Sequence, residues 1–143
     1  MAADYYILAL DYGDKRVGVA IAHAVARFPR PLLTLDNTDT LITDIKNLIP
    51  RENIGLVLVG LPRGMDGGYT EQTRIAEAFA DRLKQSITVP VELADETLTS
   101  VDAEQALTGW GHVKGDIDAM AATLILERYL AGHPAPGVEN AEA

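Results

Sequence analysis

The stretch from Ile7 to Ala22 constrains the fold most, because it reads as two apolar strands joined by a tight turn. The first apolar run ends at Asp11, Gly13 and Asp14 supply turn residues, and a second run begins at Val17. A carboxylate at the end of a buried strand is costly unless it is paired, hydrogen-bonded or bound to a metal. Asp11 is therefore a candidate metal ligand.

The remaining sequence predicts a mixed α/β fold with a single sheet. The uninterrupted apolar run from Ile54 to Gly60 is typical of a central parallel strand, and Pro90 places the last strand near an edge. Pro50 is expected to end the first helix. Three opening antiparallel-type strands, then parallel strands reached by helical crossovers, give a five-stranded sheet with helices on both faces. The expected strands are 5–11, 17–22, 32–35, 54–60 and 88–94, and the expected helices are 41–49, 70–84, 99–107 and 116–130.

Length and composition indicate one domain without membrane or disulfide chemistry. The 143 residues suffice for one core, expected over 1–131, and the Pro- and Ala-rich segment 132–143 reads as a disordered tail. Absence of cysteine excludes disulfides and thiolate metal sites. No apolar run approaches the roughly 20 residues of a membrane span. The N-terminus lacks a signal-peptide pattern, so we expect a cytoplasmic location.

The net charge of −9 argues against a protein that coats nucleic acid non-specifically. It does not exclude a nuclease, because a divalent cation can bridge protein carboxylates and phosphate.

Two other places in the sequence offer inward carboxylates. Asp118 shares a helical stripe with Ala121, Ala122 and Ile125, which points it toward the sheet, although a first-turn anion is also favoured by the helix dipole. Asp95-Glu96 closes the fifth strand, and the residues alone do not decide between the two or exclude an ordinary charged turn. Three such carboxylates would suit Mg²⁺ or Mn²⁺. A pair of these ions can activate water and stabilise the leaving oxygen of a phosphodiester.

Basic residues near these positions are candidate phosphate contacts. Lys15 and Arg16 belong to the expected hairpin turn, where the alternative is an exposed turn charge. Arg63 lies in a Gly-rich loop after the central strand, at the end of the sheet where ligands of open α/β folds bind. A plain crossover loop is the alternative there.

Four motifs in order resemble the YqgF family, whose members are described as Holliday-junction resolvases or pre-16S rRNA nucleases with a ribonuclease H-like fold. The resemblance covers about residues 5–131. It implies that Asp11, Glu96 and Asp118 form an acidic triad that binds Mg²⁺ or Mn²⁺, and it selects Glu96 over Asp95. The motifs are Leu10-Asp11-Tyr12-Gly13-Asp14-Lys15-Arg16-Val17-Gly18-Val19-Ala20, Val59-Gly60-Leu61-Pro62 with Met65-Asp66-Gly67, Asp95-Glu96-Thr97-Leu98-Thr99, and Asp118 followed by Ala121-Ala122 and Ile125-Leu126.

Two positions depart from the family pattern. Thr97 stands where the family usually has arginine after the motif glutamate, and Asp116 stands where a second basic residue is frequent before the helix aspartate. Lys114 matches the first of those basic positions and joins Lys15, Arg16 and Arg63 as an expected substrate contact. Both departures remove positive charge near the site and are expected to weaken substrate binding.

The resemblance therefore predicts a two-metal endonuclease for structured nucleic acid, with the 5′ end of precursor 16S rRNA as the leading substrate. Branched DNA is an alternative substrate, and pre-30S ribosomal particles are expected partners of a monomer or weak homodimer. A weakly catalytic ribosome-assembly factor remains open. So does an ATP-binding domain, since an Asp-x-Gly hairpin also opens the actin and sugar-kinase folds, although those need two such domains.

Overall fold

The structure is a computed structural model that describes residues 4–96 and 116–133. Within these ranges it contains five strands and three helices, which we number in chain order. They are β1 (Tyr6–Tyr12), β2 (Arg16–His23), β3 (Arg30–Asp36), α1 (Leu41–Arg51), β4 (Ile54–Pro62), α2 (Glu71–Ser86), β5 (Val91–Glu96) and α3 (Asp116–Gly132).

The five strands form one mixed sheet in the order β3-β2-β1-β4-β5. β1 and β3 each pair with β2 in antiparallel fashion, whereas β4 is parallel to β1 and β5 is parallel to β4. The expected mixed sheet and the edge position of its last strand are confirmed. β1, β3, β4 and β5 consequently all end at the same end of the sheet, where β2 begins; we call this the C-terminal end.

Helices cover both faces of the sheet, and the side chains of each strand alternate between them. In β1, Leu8 and Leu10 pack in the core beneath α1 and α2, while Ile7 and Ala9 pack beneath α3. This alternation follows from the two-residue period of a strand. All four side chains are buried, and a one-residue slip would exchange the two leucines with Ile7 and Ala9 between the two cores.

Small residues on one face of β2 let α3 approach the sheet closely. Alternate residues of this strand, from Gly18 through Ala20 to Ala22, face α3. A Cβ atom placed on Gly18 would lie 1.8 Å from the carbonyl oxygen of Asp118, well inside any allowed contact. The first turn of α3 therefore rests directly on the backbone of β2.

The other end of α3 is held by Arg27. This residue follows β2 with a left-handed backbone (φ 61°), and its guanidinium donates to the carbonyl of Leu130 at 2.6 Å and to that of His133. The last carbonyls of a helix lack partners within the helix, so a cation there satisfies them and opposes the helix dipole. Gly18 and Arg27 thus fix α3 at both of its ends.

Several predicted boundaries differ from the structure by one to three residues, and two of the differences involve proline. The first helix continues through Pro50 to Arg51, because the N–H of Glu52 still donates to the carbonyl of Leu48 and closes the last turn. The last strand runs over Val91–Glu96 instead of 88–94. Pro90 has no N–H for the ladder, and its carbonyl instead accepts the first bond, from Val57.

The helix expected over 99–107 and most of the tail expected over 132–143 lie outside the described residues. Gly132, the first residue of that expected tail, still belongs to α3. None of the described helices has the length and apolar character that crossing a bilayer requires. The single-domain boundary at 131 stays a prediction.

Candidate functional site

Asp11 lies near the end of β1, at the C-terminal end of the sheet. It pairs across the hairpin with Gly18 of β2. It continues the alternation of Ile7 and Ala9, which places it on the face that α3 covers. The side chain is partly buried, as the apolar strand before it predicts.

Asp118 comes to the same place from the first turn of α3. Its backbone carbonyl lies against Gly18, which is the strand partner of Asp11, so both aspartates flank one glycine. The side chain of Asp118 is 26% exposed, and the residues that follow it on the same helix stripe are buried against the sheet. The inward orientation predicted from helical spacing is confirmed for this residue.

Arg16 occupies a position that the sequence did not predict. It is the first residue of β2 rather than part of the turn, and its Nε donates to Oδ2 of Asp118 at 2.7 Å. That hydrogen bond, helped by the charge of Asp118, raises the pKa of the Arg16 guanidinium above its ordinary value. Arg16 is therefore the counter-ion of a predicted metal ligand as well as a candidate phosphate contact.

Glu96 ends β5 and pairs with Pro62 of β4. β4 lies between β5 and β1, and the register places Leu10 beside Val59. With strands about 4.8 Å apart and a rise of about 3.3 Å per residue, the Cα atoms of Asp11 and Glu96 are separated by about 12 Å. The backbone thus places all three predicted ligands at one end of the sheet.

The backbone brings two of the three predicted ligands, Asp11 and Asp118, to the same glycine of β2. Across the side chains that the structure describes, no three histidine, aspartate or glutamate residues form a cluster that could hold a metal ion. The side chain of Glu96 lies outside the described part, so the triad of Asp11, Glu96 and Asp118 stays a prediction.

The remaining expected substrate contacts have different surroundings. Lys15 is exposed in the turn between β1 and β2. Arg63 follows β4, and its Nε lies 3.4 Å from Oδ1 of Asp95, beside Glu96. Lys114 and Thr97 lie outside the described residues.

Gly18 is the site residue whose role the sequence analysis missed. Its importance comes from the close approach of α3, which brings the backbone of Asp118 to the strand partner of Asp11. The signal was present in the sequence as small residues at alternate positions from Gly18 to Ala22, facing a helix rich in alanine. A strand with such a face can accept a helix closer than one with branched side chains.

Comparison with known proteins identifies the family. A family model described as Holliday junction resolvase, RuvX, matches residues 5–132. A protein of Chloroflexus aurantiacus named "Putative pre-16S rRNA nuclease" is 42% identical over 133 residues, covering 89% of this chain and 87% of its own. A protein of the same name from Rickettsia typhi is 39% identical over 127 residues, covering 85% and 81%.

Solved structures support the same fold. The Holliday junction resolvase of fowlpox virus has a TM-score of 0.53 and 11% identity, with 90% of this chain and 99% of that chain covered. Thermus thermophilus RuvC in complex with a Holliday junction has a TM-score of 0.50 and 11% identity, covering 89% and 95%. At 11% identity these similarities support the fold alone, which is ribonuclease H-like.

The relatives are named nucleases and the fold is that of resolvases, which is consistent with a hydrolase acting on ester bonds. The resemblance inferred from the four sequence motifs is confirmed by the match of a family model to nearly the whole chain. The chain belongs to the RuvX (YqgF) family of Holliday junction resolvase-like proteins.

Proposed function

We propose that this protein is a metal-dependent endonuclease that hydrolyses phosphodiester bonds in structured nucleic acid. One observation carries the proposal. Asp11 of β1 and Asp118 of α3 flank Gly18 at the end of the sheet where β4 and β5 also end. The close backbone contact at Gly18 brings the two aspartates to one end of the sheet, which supports a shared ligand for them.

The donor set fits Mg²⁺ or Mn²⁺. Asp11 and Asp118 contribute carboxylate oxygens, which these hard cations prefer, and Glu96 is the proposed third ligand. Such a cation, when bound, lowers the pKa of water and offsets the negative charge on a phosphodiester. The pairing of Asp118 with Arg16 also fits, because a carboxylate that already binds one cation, the guanidinium 2.7 Å away, would bind a metal in its place.

The basic residues would orient the substrate. Lys15, exposed in the β1–β2 turn that follows Asp11, would contact a phosphate there. Arg16 would turn from Asp118 to a phosphate oxygen once a cation takes its place, since guanidinium groups bind carboxylate and phosphate in the same geometry. Arg63, in the β4–α2 loop, would do the same by exchanging Asp95 for a phosphate.

The proposed substrate is the 5′ end of precursor 16S rRNA, within or near pre-30S particles. This choice rests on the names of the relatives that share about 40% of the sequence. The solved neighbours are resolvases of Holliday junctions, so branched DNA is the alternative to be compared directly.

The test is cleavage of end-labelled precursor rRNA and of a four-way DNA junction, side by side, with Mn²⁺ and with EDTA. We expect Mn²⁺-dependent cleavage that is lost on chelation and reduced at least a hundredfold by Asp11→Asn or Asp118→Asn, as for groups that position charge at a reacting phosphate. Asp81→Asn, an exposed position on α2, is the matched control and should cleave normally. Undiminished cleavage by either site variant would refute the assignment.

One observation favours a second candidate, a nucleic-acid-binding assembly factor with little catalysis. Asp118 is already paired with Arg16, and the family's usual basic residues are replaced by Thr97 and Asp116. In such a protein the Arg16–Asp118 pair would stay closed and stabilise α3 on the sheet. Binding of precursor rRNA without any metal-stimulated cleavage would decide for this candidate.

A further inference from the structure

A second concavity lies at the same end of the sheet, on the face that α1 and α2 cover. It is a cavity of about 310 Å³ between the end of β1, the residues after β3, and helices α1 and α2. Its size is at the lower end of the range for small-molecule sites. Residues that line it include Tyr12, Asn37, Asp39, Ile42, Phe79 and Arg82.

Aromatic rings and a cation form one wall of this cavity. Tyr12 stacks on buried Phe79 with ring centroids 4.2 Å apart and planes 23° from parallel. The guanidinium carbon of Arg82 lies 5.7 Å from the centroid of Phe79, and its Nη2 lies 3.5 Å from the Tyr12 hydroxyl. Unpaired bases are held in proteins on aromatic rings and on arginine planes of this kind.

The charge and polarity of the lining narrow the class of ligand. The lining carries one cation, Arg82, and one carboxylate, Asp39, so the cavity has no surplus of positive charge for a phosphate. The carboxylate of Asp39 and the amide oxygen of Asn37 are acceptors that a purely apolar ligand could not use, while the amide nitrogen of Asn37 already donates to the carbonyl of Gly13. A planar, uncharged ligand with donors and acceptors on its edge satisfies both conditions, and a nucleoside is such a ligand.

The cavity lies next to the proposed active site, across the end of β1. Tyr12 directly follows Asp11 in β1, and strand alternation places the two side chains on opposite faces of the sheet. A smaller cavity of about 80 Å³ shares Tyr12 and Asn37 and extends to Gly13 and Asp14 of the hairpin turn. The two cavities together lead from Arg82 to the turn that carries Lys15.

From this arrangement we infer that the cavity beside Tyr12 binds a nucleoside, with its base against Tyr12 and Arg82 and its polar edge toward Asn37 and Asp39. The inference rests on the proposed function in one respect, that the natural source is an unpaired nucleotide of the strand cleaved at Asp11. A free nucleoside is the other source of the same chemistry.

The first experiment titrates adenosine, guanosine, cytidine and uridine into the ¹⁵N-labelled full chain, in EDTA, and follows backbone amide shifts. We expect shifts that saturate at millimolar concentration and cluster at Tyr12, Asn37 and the first turn of α1. Arg82→Gln should weaken the binding about fivefold, the factor for a cation–π contact of about 1 kcal/mol. Lys84→Gln, on the same helix but outside the lining, is the matched control.

A second arm separates the two sources. If short single-stranded RNAs bind at least tenfold more tightly than the nucleosides, and lose that gain when one base is omitted, the bound nucleoside comes from the substrate strand. Nucleosides that bind as tightly as the RNAs identify a free ligand. Either result supports the nucleoside site.

The inference is overturned if no nucleoside or RNA shifts the amides around Tyr12, or if Arg82→Gln and Lys84→Gln bind RNA equally. Its failure is distinguishable from failure of the proposed function, because binding is measured without metal and can be repeated in Asp11→Asn. If the protein cleaves its substrate but binds nothing at this cavity, only the inference of a nucleoside site is refuted. If it binds at the cavity but never cleaves, only the proposed nuclease function is refuted.

Discussion

Replacing Gly18 by alanine tests whether the close contact between α3 and β2 builds the site. The added Cβ would lie 1.8 Å from the carbonyl oxygen of Asp118, 2.2 Å from its carbonyl carbon and 2.8 Å from the nitrogen of Ala119. All three atoms belong to the backbone, so no side chain can rotate away. Raising the shortest distance to the 3.0 Å that real Cβ atoms respect requires a movement of about 1.2 Å.

Such a movement is costly because it opens a packed interface. A gap of 0.5–1 Å already forfeits a quarter to a half of the dispersion energy of each contact it separates. Overpacked cores usually lose about 1–3 kcal/mol, and a backbone-to-backbone clash belongs at the upper end of this range. We therefore expect Gly18→Ala to lower the free energy of unfolding by about 3 kcal/mol, a large part of the 5–15 kcal/mol typical of a domain.

Urea denaturation of the wild type and the variant measures this loss. Gly132→Ala is the matched control, because a Cβ at that glycine in the last turn of α3 meets no atom within 4 Å. It should leave stability unchanged or raise it by a few tenths of a kcal/mol. If the free energy of unfolding of Gly18→Ala lies within about 0.5 kcal/mol of the wild-type value, the close contact does not stabilise the packing of α3 on β2.

Three further outcomes follow from other contacts. Arg16→Gln should raise the affinity for Mn²⁺ severalfold in calorimetry without nucleic acid, because Asp118 loses a competing cation; unchanged or weaker binding contradicts this. Arg27→Ala should lower the free energy of unfolding by about 1–2 kcal/mol, since the last carbonyls of α3 lose their donor. Burial, with the hydrogen bond to Glu92, raises the pKa of Tyr129 to about 12, so its contribution to stability should be lost as the pH rises from about 10 to about 12. NMR titration of Glu92→Gln should show the pKa of Tyr129 closer to 10.

The order of elements could be predicted because local signals and burial agree. The hairpin has turn residues between two apolar runs, and the segment from Ile54 to Gly60 is apolar without interruption, as a strand covered on both faces must be. Pro90 correctly predicted that the last strand lies at an edge of the sheet, but it did not show where the pairing of β5 with β4 begins. A proline carbonyl can accept a ladder bond although the residue cannot donate one, and sequence alone does not show that partner.

The ion pair of Arg16 with Asp118 could not be predicted in the same way. The two residues are separated by 102 positions, and no local pattern links them. Their contact depends on how closely α3 approaches β2, which in turn depends on the absence of a side chain at Gly18. The helical spacing of the sequence predicts which face of α3 carries Asp118. Its pairing with Arg16 depends on the distance between α3 and β2, which the sequence does not show.

Although the chain carries a net charge of −9, arginines lie among the carboxylates at the C-terminal end of the sheet. Two arginines there are each paired with a carboxylate, Arg16 with Asp118 and Arg63 with Asp95, and both pairs are partly exposed. Exposed pairs are weak and exchangeable, so a phosphate and a divalent cation can divide such a pair between them, the anion taking the arginine and the cation taking the carboxylate. Under the proposed function, Arg16 and Arg63 would therefore become available to a phosphate when their ion pairs open.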